Sequence, residues 1–293
     1  MDIPKYVAVT ACRNEEETIG RCLDSVLGQS YPPSCYVVVD DGSTDGTLKI
    51  LKSFEPRIYL VSLKKIHRFQ RGVHLLKLFV LGVKKATKKI EDWEFLLSVD
   101  ADEVLCRDYV EKLVRKMKEN LRLGITSGIP YTKMNRGYIK REKASFNVWN
   151  GARLYRRKCF NQLQKIPGIQ GWDMWVQFQA NRLGWVTKPF DDVYFLEERL
   201  WGNTSSLSFS FWVRRGFVRY NLGFSMLSQI LSSGKMVTQK PYILGSITFL
   251  FAYLLYRLFH ENPFSLDYQR FVKRLTTNMV KGAINKRIMK HRE

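Results

Sequence analysis

Paired cysteines, common nucleotide-loop motifs and zinc-ligand spacings are all missing from this sequence of 293 residues. Its five cysteines include no close pair, and an odd number cannot all form disulfides, which predicts free thiols in a reducing compartment. Its four histidines are scattered without zinc spacing. There is no Gly-Lys-Ser/Thr phosphate loop and no Gly-x-Gly-x-x-Gly fingerprint. The sequence therefore excludes a complete disulfide framework and gives no support for a zinc module, a P-loop or a dinucleotide fold.

Acidic residues are also scarce. The chain has 27 Asp and Glu against 48 Lys and Arg, a net charge of +21, and from Thr204 to the end 14 basic residues face 3 acidic ones. Such a basic surface can bind nucleic acid or anionic lipid, or it can simply be solvated and keep the protein soluble. Because no RNA-binding motif accompanies the charge, we expect no nucleic-acid partner. The first residues lack the apolar core of a signal peptide, so we expect a cytoplasmic catalytic part.

Two short apolar runs stop abruptly at acidic side chains. Tyr36–Val39 precedes Asp40 and Asp41, and Phe95–Val99 precedes Asp100 and Asp102. Both runs are typical of buried strands, and the order of strands and helices up to this point indicates a parallel α/β fold. Carboxylates at the carboxyl ends of neighbouring parallel strands face the crevice where such sheets bind ligands. Two carboxylates one residue apart suit a hard divalent cation that also holds phosphates, so the pattern predicts a nucleotide-diphosphate site with a metal.

Polar residues beside these runs are predicted to shape the chain. Asn14 with Glu17 fits a capping box, which predicts that the first helix starts there. Asp45 is expected to help cap the next helix, together with its neighbours Asp40, Ser43 and Thr44. Glu103 is expected to lie on the surface.

Three segments, in this order, resemble the family 2 glycosyltransferases, inverting enzymes with the GT-A fold. They are TACRNEEETIGRCLDSVLGQSYP, VVVDDGSTDGTLKIL and LLSVDADEVL, and the resemblance covers roughly the first two-thirds of the chain. It implies an α/β fold with a mostly parallel central sheet flanked by helices. We place this domain at residues 1–203, followed by a basic, aromatic helical extension at 204–293.

The resemblance also implies the roles of individual residues. The family's first loop lies against the nucleoside, one aspartate reads the base and another lies near the ribose; the matching positions are Thr10, Ala11, Arg13, Glu15, Asp41 and Asp100. Asp102 matches the residue that holds Mg²⁺ or Mn²⁺ on the diphosphate. Asp173 matches the general base, although Trp172 replaces the acid that normally precedes it. The alternative for Asp173 is a helix N-terminal residue favoured by the dipole.

The extension contains an uncharged run, residues 241–256, that is shorter than the about 20 residues of a spanning helix. A hairpin, a shallow membrane insertion, a buried core helix and, less expected at this length, a membrane span all remain open for it. Aromatic residues between 209 and 220 alternate with arginines, which is typical of an interfacial amphipathic helix. We therefore expect attachment to the cytoplasmic face of the cell membrane.

Together these features predict transfer of one sugar from a UDP- or GDP-sugar, because the Gln/Arg-x-x-Arg-Trp segment of processive relatives is not evident. The expected acceptor is a hydroxyl on a lipid-linked glycan or glycolipid. A polyprenyl phosphate acceptor is the alternative, followed by a nucleotidyltransferase and by a membrane adaptor without activity. The sequence leaves the oligomeric state open.

Overall fold

The computed structural model describes residues 4–64, 71–134, 137–141, 148–163, 166–199, 209–237 and 242–290, with the backbone alone at 71, 235 and 279–290. The chain divides into two compact units, Met1–Trp201 and Gly202–Glu293. The boundary predicted between residues 203 and 204 lies outside the described residues and stays a prediction.

One sheet forms the centre of the first unit, and the described residues contribute nine strands to it. These are β1 (Tyr6–Cys12), β2 (Cys35–Asp40), β3 (Tyr59–Ser62), β4 (Phe95–Val99), β5 (Glu103–Leu105), β6 (Leu123–Met134), β7 (Gly137–Lys140), β8 (Ala152–Arg156) and β9 (Val186–Glu197). Their order is β3-β2-β1-β4-β8-β6-β9-β5, with β7 paired to β6.

The half of the sheet formed by β3, β2, β1 and β4 is parallel, whereas β8 joins β4 antiparallel. In β1, β2 and β4 nearly every residue is buried, as expected of apolar strands covered on both faces. The chain builds β2 and β3 on one side of β1 and then crosses to β4 on the other. The order of the strands therefore reverses at β1, and open sheets bind ligands at such a point.

Six helices lie in the described part of the first unit: α1 (Ile19–Leu27), α2 (Thr47–Ser53), α3 (Arg71–Lys89), α4 (Tyr109–Glu119), α5 (Arg157–Gln162) and α6 (Trp172–Arg182). Helix α1 buries Ile19, Cys22, Leu23 and Val26, which recur at helical spacing. Helix α3 packs on β1 and β2, and Gly82 allows the close approach because a Cβ there would overlap Val9. All five cysteines are free thiols, as predicted.

The predicted start of α1 was wrong, whereas Asp45 contacts the first turn of α2. Helix α1 begins at Ile19, and Asn14 instead adopts a φ of 53° and accepts a hydrogen bond from the Thr44 backbone N–H at 2.8 Å. Its side chain therefore connects two loops rather than capping a helix. Asp45 lies just before the N-cap residue of α2, Gly46, and its Oδ1 accepts from the Thr47 N–H, the first of the helix, at 3.0 Å.

The second unit consists of helices in its described part: α7 (Phe209–Asn221), α8 (Met226–Met236), α9 (Ile243–Phe259) and α10 (Leu266–Lys290). Helix α9 contains most of the uncharged run, whose Pro241 lies outside the described residues. It packs against α7 and α8, and at Gly216 of α7 a Cβ would lie 2.6 Å from the Phe249 carbonyl oxygen. The two backbones therefore meet closely on this side.

The opposite side of α9 is apolar and open. Ile247 and Phe251 are each 58% exposed and Leu258 is 75% exposed, whereas Phe249 and Tyr253 are buried. We call the first three, together with Leu255, the outer face of α9. None of the helices in the described residues has both the length and the apolar character needed to cross a membrane.

Candidate active site

A cavity of about 810 Å³ opens at the carboxyl ends of β1, β2 and β4. Its walls include the loop after β1, the first residue after β2 and the Asp-x-Asp turn after β4. These segments lie far apart in sequence, and parallel pairing brings them together: Cys12 is opposite Asp40, and Val9 is opposite Ser98. The cavity thus occupies the point where the strand order reverses.

Six of the eight residues predicted for the site line this cavity: Ala11, Arg13, Glu15, Asp41, Asp100 and Asp102. The Thr10 side chain is fully buried, and its hydroxyl donates to the Val99 carbonyl oxygen at 2.9 Å, linking β1 to β4. Asp173 is discussed below. The predicted contacts with a nucleotide sugar remain predictions for all eight.

Asp41 is buried, and two cationic or polar side chains contact the same oxygen of its carboxylate. Arg13 Nη1 donates to Oδ2 at 3.3 Å, and His74 Nε2 lies 2.8 Å from that atom. The second oxygen, Oδ1, is buried and has no hydrogen-bond partner in the described part of the chain. His74 comes from α3, and nothing in the sequence marked it as a site residue because it belongs to no motif.

Asp100 stands among carboxylates. Burial raises the pKa of Asp100 to about 8, and the charges of Asp102 and Asp173 act in the same direction, against Arg153. Its side chain is nevertheless exposed to the open cavity, so we attribute the higher pKa mainly to the neighbouring carboxylates. The site therefore gathers negative charge that a cation would neutralise.

Arg199 supplies one such cation, and sequence reasoning missed it. One of its terminal nitrogens lies 2.5 and 2.6 Å from the two oxygens of Glu15, and its Nε lies 3.2 Å from Asp102 Oδ2. The Glu15 carboxylate raises the pKa of Arg199. Arg199 lies two residues beyond the end of β9, so only the folded sheet places it beside the Asp-x-Asp turn.

The described residues contain no group of three or more His, Cys, Asp or Glu side chains able to hold a metal by themselves. Mg²⁺, however, is commonly held by one or two carboxylates together with substrate phosphates. Asp102 and Asp100 provide hard oxygen ligands of that kind beside an open cavity, and their mutual repulsion favours a cation. These residues fit a cation that arrives with a diphosphate.

Glu103 was predicted to lie on the surface, and the structure shows that this was wrong. It is 4% exposed, and burial with the charges of Asp100 and Asp102 raises its pKa, which favours the neutral acid. Gly151 lies directly against it, and a Cβ at that position would overlap Glu103 Oε1. The Gly151 carbonyl oxygen also accepts from the Asp100 N–H at 2.8 Å. The glycine therefore supports the turn that carries both site aspartates.

Asp173 lies in the first turn of α6. Asp173 is not among the described residues that line the cavity, although its charge contributes to raising the pKa of Asp100. Buried Arg153 donates from Nη1 to the Asp173 carbonyl oxygen at 2.7 Å and so fixes the start of this helix. Trp172, at the position of the missing acid, lines the cavity and stacks on Phe79 with ring centroids 5.6 Å apart. An aromatic ring thus forms the wall beside the predicted base.

Comparisons with known proteins agree with this geometry. The sequence matches the family described as glycosyl transferase family 2 over residues 7–183, more than half of the chain. A poly-beta-1,6-N-acetyl-D-glucosamine synthase from Staphylococcus epidermidis is 33% identical over 125 residues, 41% of this chain and 27% of the synthase. Glycosyltransferase GlyA from Streptococcus pneumoniae is 29% identical over 115 residues, 39% of this chain and 15% of that protein. The chain thus spans about a quarter or less of the length of these relatives.

Solved structures share the fold. The mannosyltransferase PcManGT from Pyrobaculum calidifontis, in complex with GDP-Man and Mn²⁺, has a TM-score of 0.54 at 16% identity, covering 97% of this chain and 87% of that one. TarS 1-349 from S. aureus, in complex with UDP-GlcNAc, has a TM-score of 0.52 at 16% identity, covering 92% and 78%. This likeness confirms the predicted α/β, GT-A type of fold.

Because carboxylates are crowded at the site, we expect Asp100→Asn to raise the free energy of unfolding when no ligand is bound. In the wild type the Asp100 carboxyl favours the folded state while protonated, and this contribution is lost as the pH rises from about 4, its usual pKa, toward about 8. The variant should therefore gain about 1–2 kcal/mol at pH 8, a few degrees in melting temperature, and almost nothing at pH 4. Thermal unfolding at both pH values measures this gain.

Asp191→Asn is the matched control, because that side chain is 82% exposed and lies 3.7 Å from Lys140. It should change the melting temperature little at either pH. A melting temperature of Asp100→Asn below that of the wild type at pH 8 would show that the carboxylates do not repel one another.

Proposed function

This chain belongs to glycosyl transferase family 2, and we propose that it transfers one sugar from a nucleotide-sugar donor to an acceptor hydroxyl at a membrane surface. Membership confirms the predicted family and enzyme class. The observation that carries the proposal is the cavity, because the loop after β1, Asp41 and the Asp-x-Asp turn all line it. Its volume suits a ligand of nucleotide-sugar size.

The donor's nucleoside would lie along the loop after β1 and against Asp41, with its diphosphate toward Asp102 and Arg199. A Mg²⁺ or Mn²⁺ held by Asp102 would, when bound, offset the charge of the departing diphosphate. Arg199 would add a second positive charge there, since it already lies beside Asp102 and Glu15. Diphosphate binding would draw Arg199 away from these two carboxylates.

Asp173 would act as the general base. It would take the proton of the acceptor hydroxyl while that oxygen attacks the anomeric carbon of the sugar and the bond to the diphosphate breaks. A single attack from the face opposite the leaving group inverts the anomeric configuration. Arg153 would keep Asp173 in place through its carbonyl oxygen, and Trp172 would limit water beside the reacting atoms.

The second unit is the reason for proposing an acceptor at a membrane surface. The outer face of α9 exposes four large apolar side chains in one stripe, together with exposed Leu227 and Ile230 on α8. Contiguous exposed apolar surface of this kind marks an interaction site. The net charge of +11 between residue 204 and the chain end favours an anionic lipid surface as the partner. On α7, Phe209, Arg214 and Arg215 are exposed and suit the headgroup layer, whereas Trp212 is buried in the core of the second unit.

Asp102→Asn tests the metal and the donor site. The substitution keeps the size of the side chain, and Asp102 faces an open cavity, so the fold and the melting temperature should be nearly unchanged. Stabilisation by a nucleotide diphosphate with Mn²⁺ should nearly disappear, and sugar transfer with it. Thermal shift with and without Mn²⁺ measures the first effect, and Asp191→Asn is the control. Full metal-dependent stabilisation of the variant would contradict the assignment of Asp102.

Asp173→Asn separates the two kinds of acceptor. A hydroxyl needs a base, so turnover should fall by roughly 10²–10⁴-fold while donor affinity is retained. A lipid phosphate is already ionised and needs none, so a loss of less than about tenfold would favour the polyprenyl phosphate alternative. Turnover and donor affinity are measured on the same preparations. Because Asn can also begin a helix, loss of stability should not obscure the result.

Phe251→Glu tests membrane attachment. A charge in the centre of the outer face of α9 should reduce binding to anionic vesicles strongly, and wild-type binding should weaken as salt rises. His260→Glu is the control, since it adds a similar charge at the exposed end of the same helix. Substitution is preferable to truncation at residue 241, because α9 packs against α7 and α8. Equal flotation of Phe251→Glu and wild type with vesicles would exclude this face as the binding surface.

A further inference from the structure

We propose that Arg215 and Arg219 of α7 form a binding site for a lipid whose headgroup ends in a phosphate monoester. Both arginines belong to the second unit, so the inference goes beyond the transfer reaction. It rests on the proposed function only in taking the phosphate from a membrane surface.

The two arginines share one side of α7. They are four residues apart, so their side chains are neighbours on the surface of the helix. Their guanidinium carbons lie 5.9 and 5.7 Å from the centre of the buried Phe249 ring of α9. Two positive charges therefore converge beside one aromatic ring.

This pair of charges lacks a carboxylate partner among the described residues. From residue 202 to the chain end, the acidic residues are Glu261, Asp267 and Glu293. Burial and, after it, the charge of Arg215 lower the pKa of Arg219 to about 9, and no described carboxylate opposes this shift. Two neighbouring like charges are unfavourable, so an anion that neutralises both gains binding free energy.

Arg219 is held in a fixed orientation. Its Nε donates to Gln229 Oε1 at 2.7 Å, and its Nη2 donates to the Ser228 hydroxyl and carbonyl oxygens at 2.9 and 3.1 Å. The guanidinium also lies over the Phe224 ring, 3.9 Å from its centre. The third nitrogen, Nη1, donates to no atom of the described residues and is not fully buried. A guanidinium fixed in this way loses little side-chain entropy when Nη1 binds an anion.

Arg215 is the accessible half of the site. It is exposed, and within the described residues it forms no ion pair. Its guanidinium carbon lies 5.5 Å from the ring centres of both Phe211 and Trp212. Aromatic rings orient a guanidinium without neutralising its charge. The planar fork of Arg215 therefore remains able to donate to two oxygens of one phosphate.

The charge of the pair favours a phosphate monoester, and the surrounding surface favours a lipid. A monoester carries about −1.5 to −2 charges at pH 7 and three acceptor oxygens, which suits two arginines better than a diester does. Phe209 and Val213 on the same helix are 57% and 39% exposed, and the outer face of α9 is apolar. A water-soluble phosphate would leave this apolar surface in water, whereas a lipid would cover it.

The test is binding of the full chain to vesicles that differ in the type of phosphate. Phosphatidic acid presents a monoester and phosphatidylglycerol a diester, and the two vesicles are adjusted to the same surface potential. We expect at least about tenfold tighter binding to phosphatidic acid, the size of one additional hydrogen bond between charged groups. Equal binding would overturn the inference and leave the proposed membrane surface standing. Binding to neither vesicle would overturn both.

Variants then assign the preference to the arginine pair. Arg215→Gln should remove most of the preference for phosphatidic acid, and Arg215→Lys should reduce it because a lysine keeps the charge but loses the fork. Arg214→Gln is the matched control, since it removes the same charge from the adjacent exposed residue. It should weaken binding to both vesicles equally and keep their ratio. The same ratio in folded Arg215→Gln and Arg214→Gln would reduce the effect to general attraction and overturn the site.

Glycerol 3-phosphate separates a lipid from a soluble ligand, because it presents the same monoester without acyl chains. At the phosphate concentration used with the vesicles, it should leave the melting temperature of the wild type unchanged. Stabilisation that Arg215→Gln abolishes would instead assign the two arginines to a soluble phosphate and overturn the lipid as the ligand.

Discussion

Repulsion among carboxylates is the constraint around which the site is built. Parallel pairing of β1 with β2 and β4 brings the ends of three strands together and, with them, Asp41, Asp100 and Asp102. Such a concentration of negative charge is unfavourable unless cations balance it. The folded chain provides Arg13 at Asp41 and Arg199 at Glu15 and Asp102. In the absence of a ligand, these ion pairs stabilise the loops of the site. A charged donor would rearrange the same side chains.

The arginines at the site come from different parts of the fold and neutralise it in different ways. Arg153 is buried and donates to the backbone carbonyl oxygens of Val148, Trp149 and Asp173, so it fixes the entry into α6, and its charge lowers the pKa of Asp100. Arg199 is half-exposed and contacts carboxylates directly, which leaves it able to change partners. The rigid cation thus positions the predicted base, while the accessible one lies where the diphosphate is expected.

The sequence was sufficient for those features that depend on local pattern. Apolar runs that end at acidic residues predicted β2, β4 and the crevice above them, because burial on both faces and the position after a strand are local properties. It was insufficient where partners come from distant segments. His74 reaches Asp41 from α3, and Arg199 reaches Asp102 from beyond β9, and neither residue belongs to a motif. Glu103 was predicted to lie on the surface because its burial depends on segments distant in sequence, Gly151 and β9.

Gly151 has a consequence for the variation that this protein can tolerate. It has no side chain and is not among the described residues that line the cavity, yet its carbonyl oxygen accepts from the Asp100 N–H and its α-carbon lies against Glu103. Any larger residue would push the Glu103 carboxyl and the turn that carries Asp100 and Asp102. The carboxylates could be exchanged for amides of the same shape, whereas no isostere exists for this position. Near the site, substitution is therefore tolerated least at Gly151, the residue with the fewest atoms.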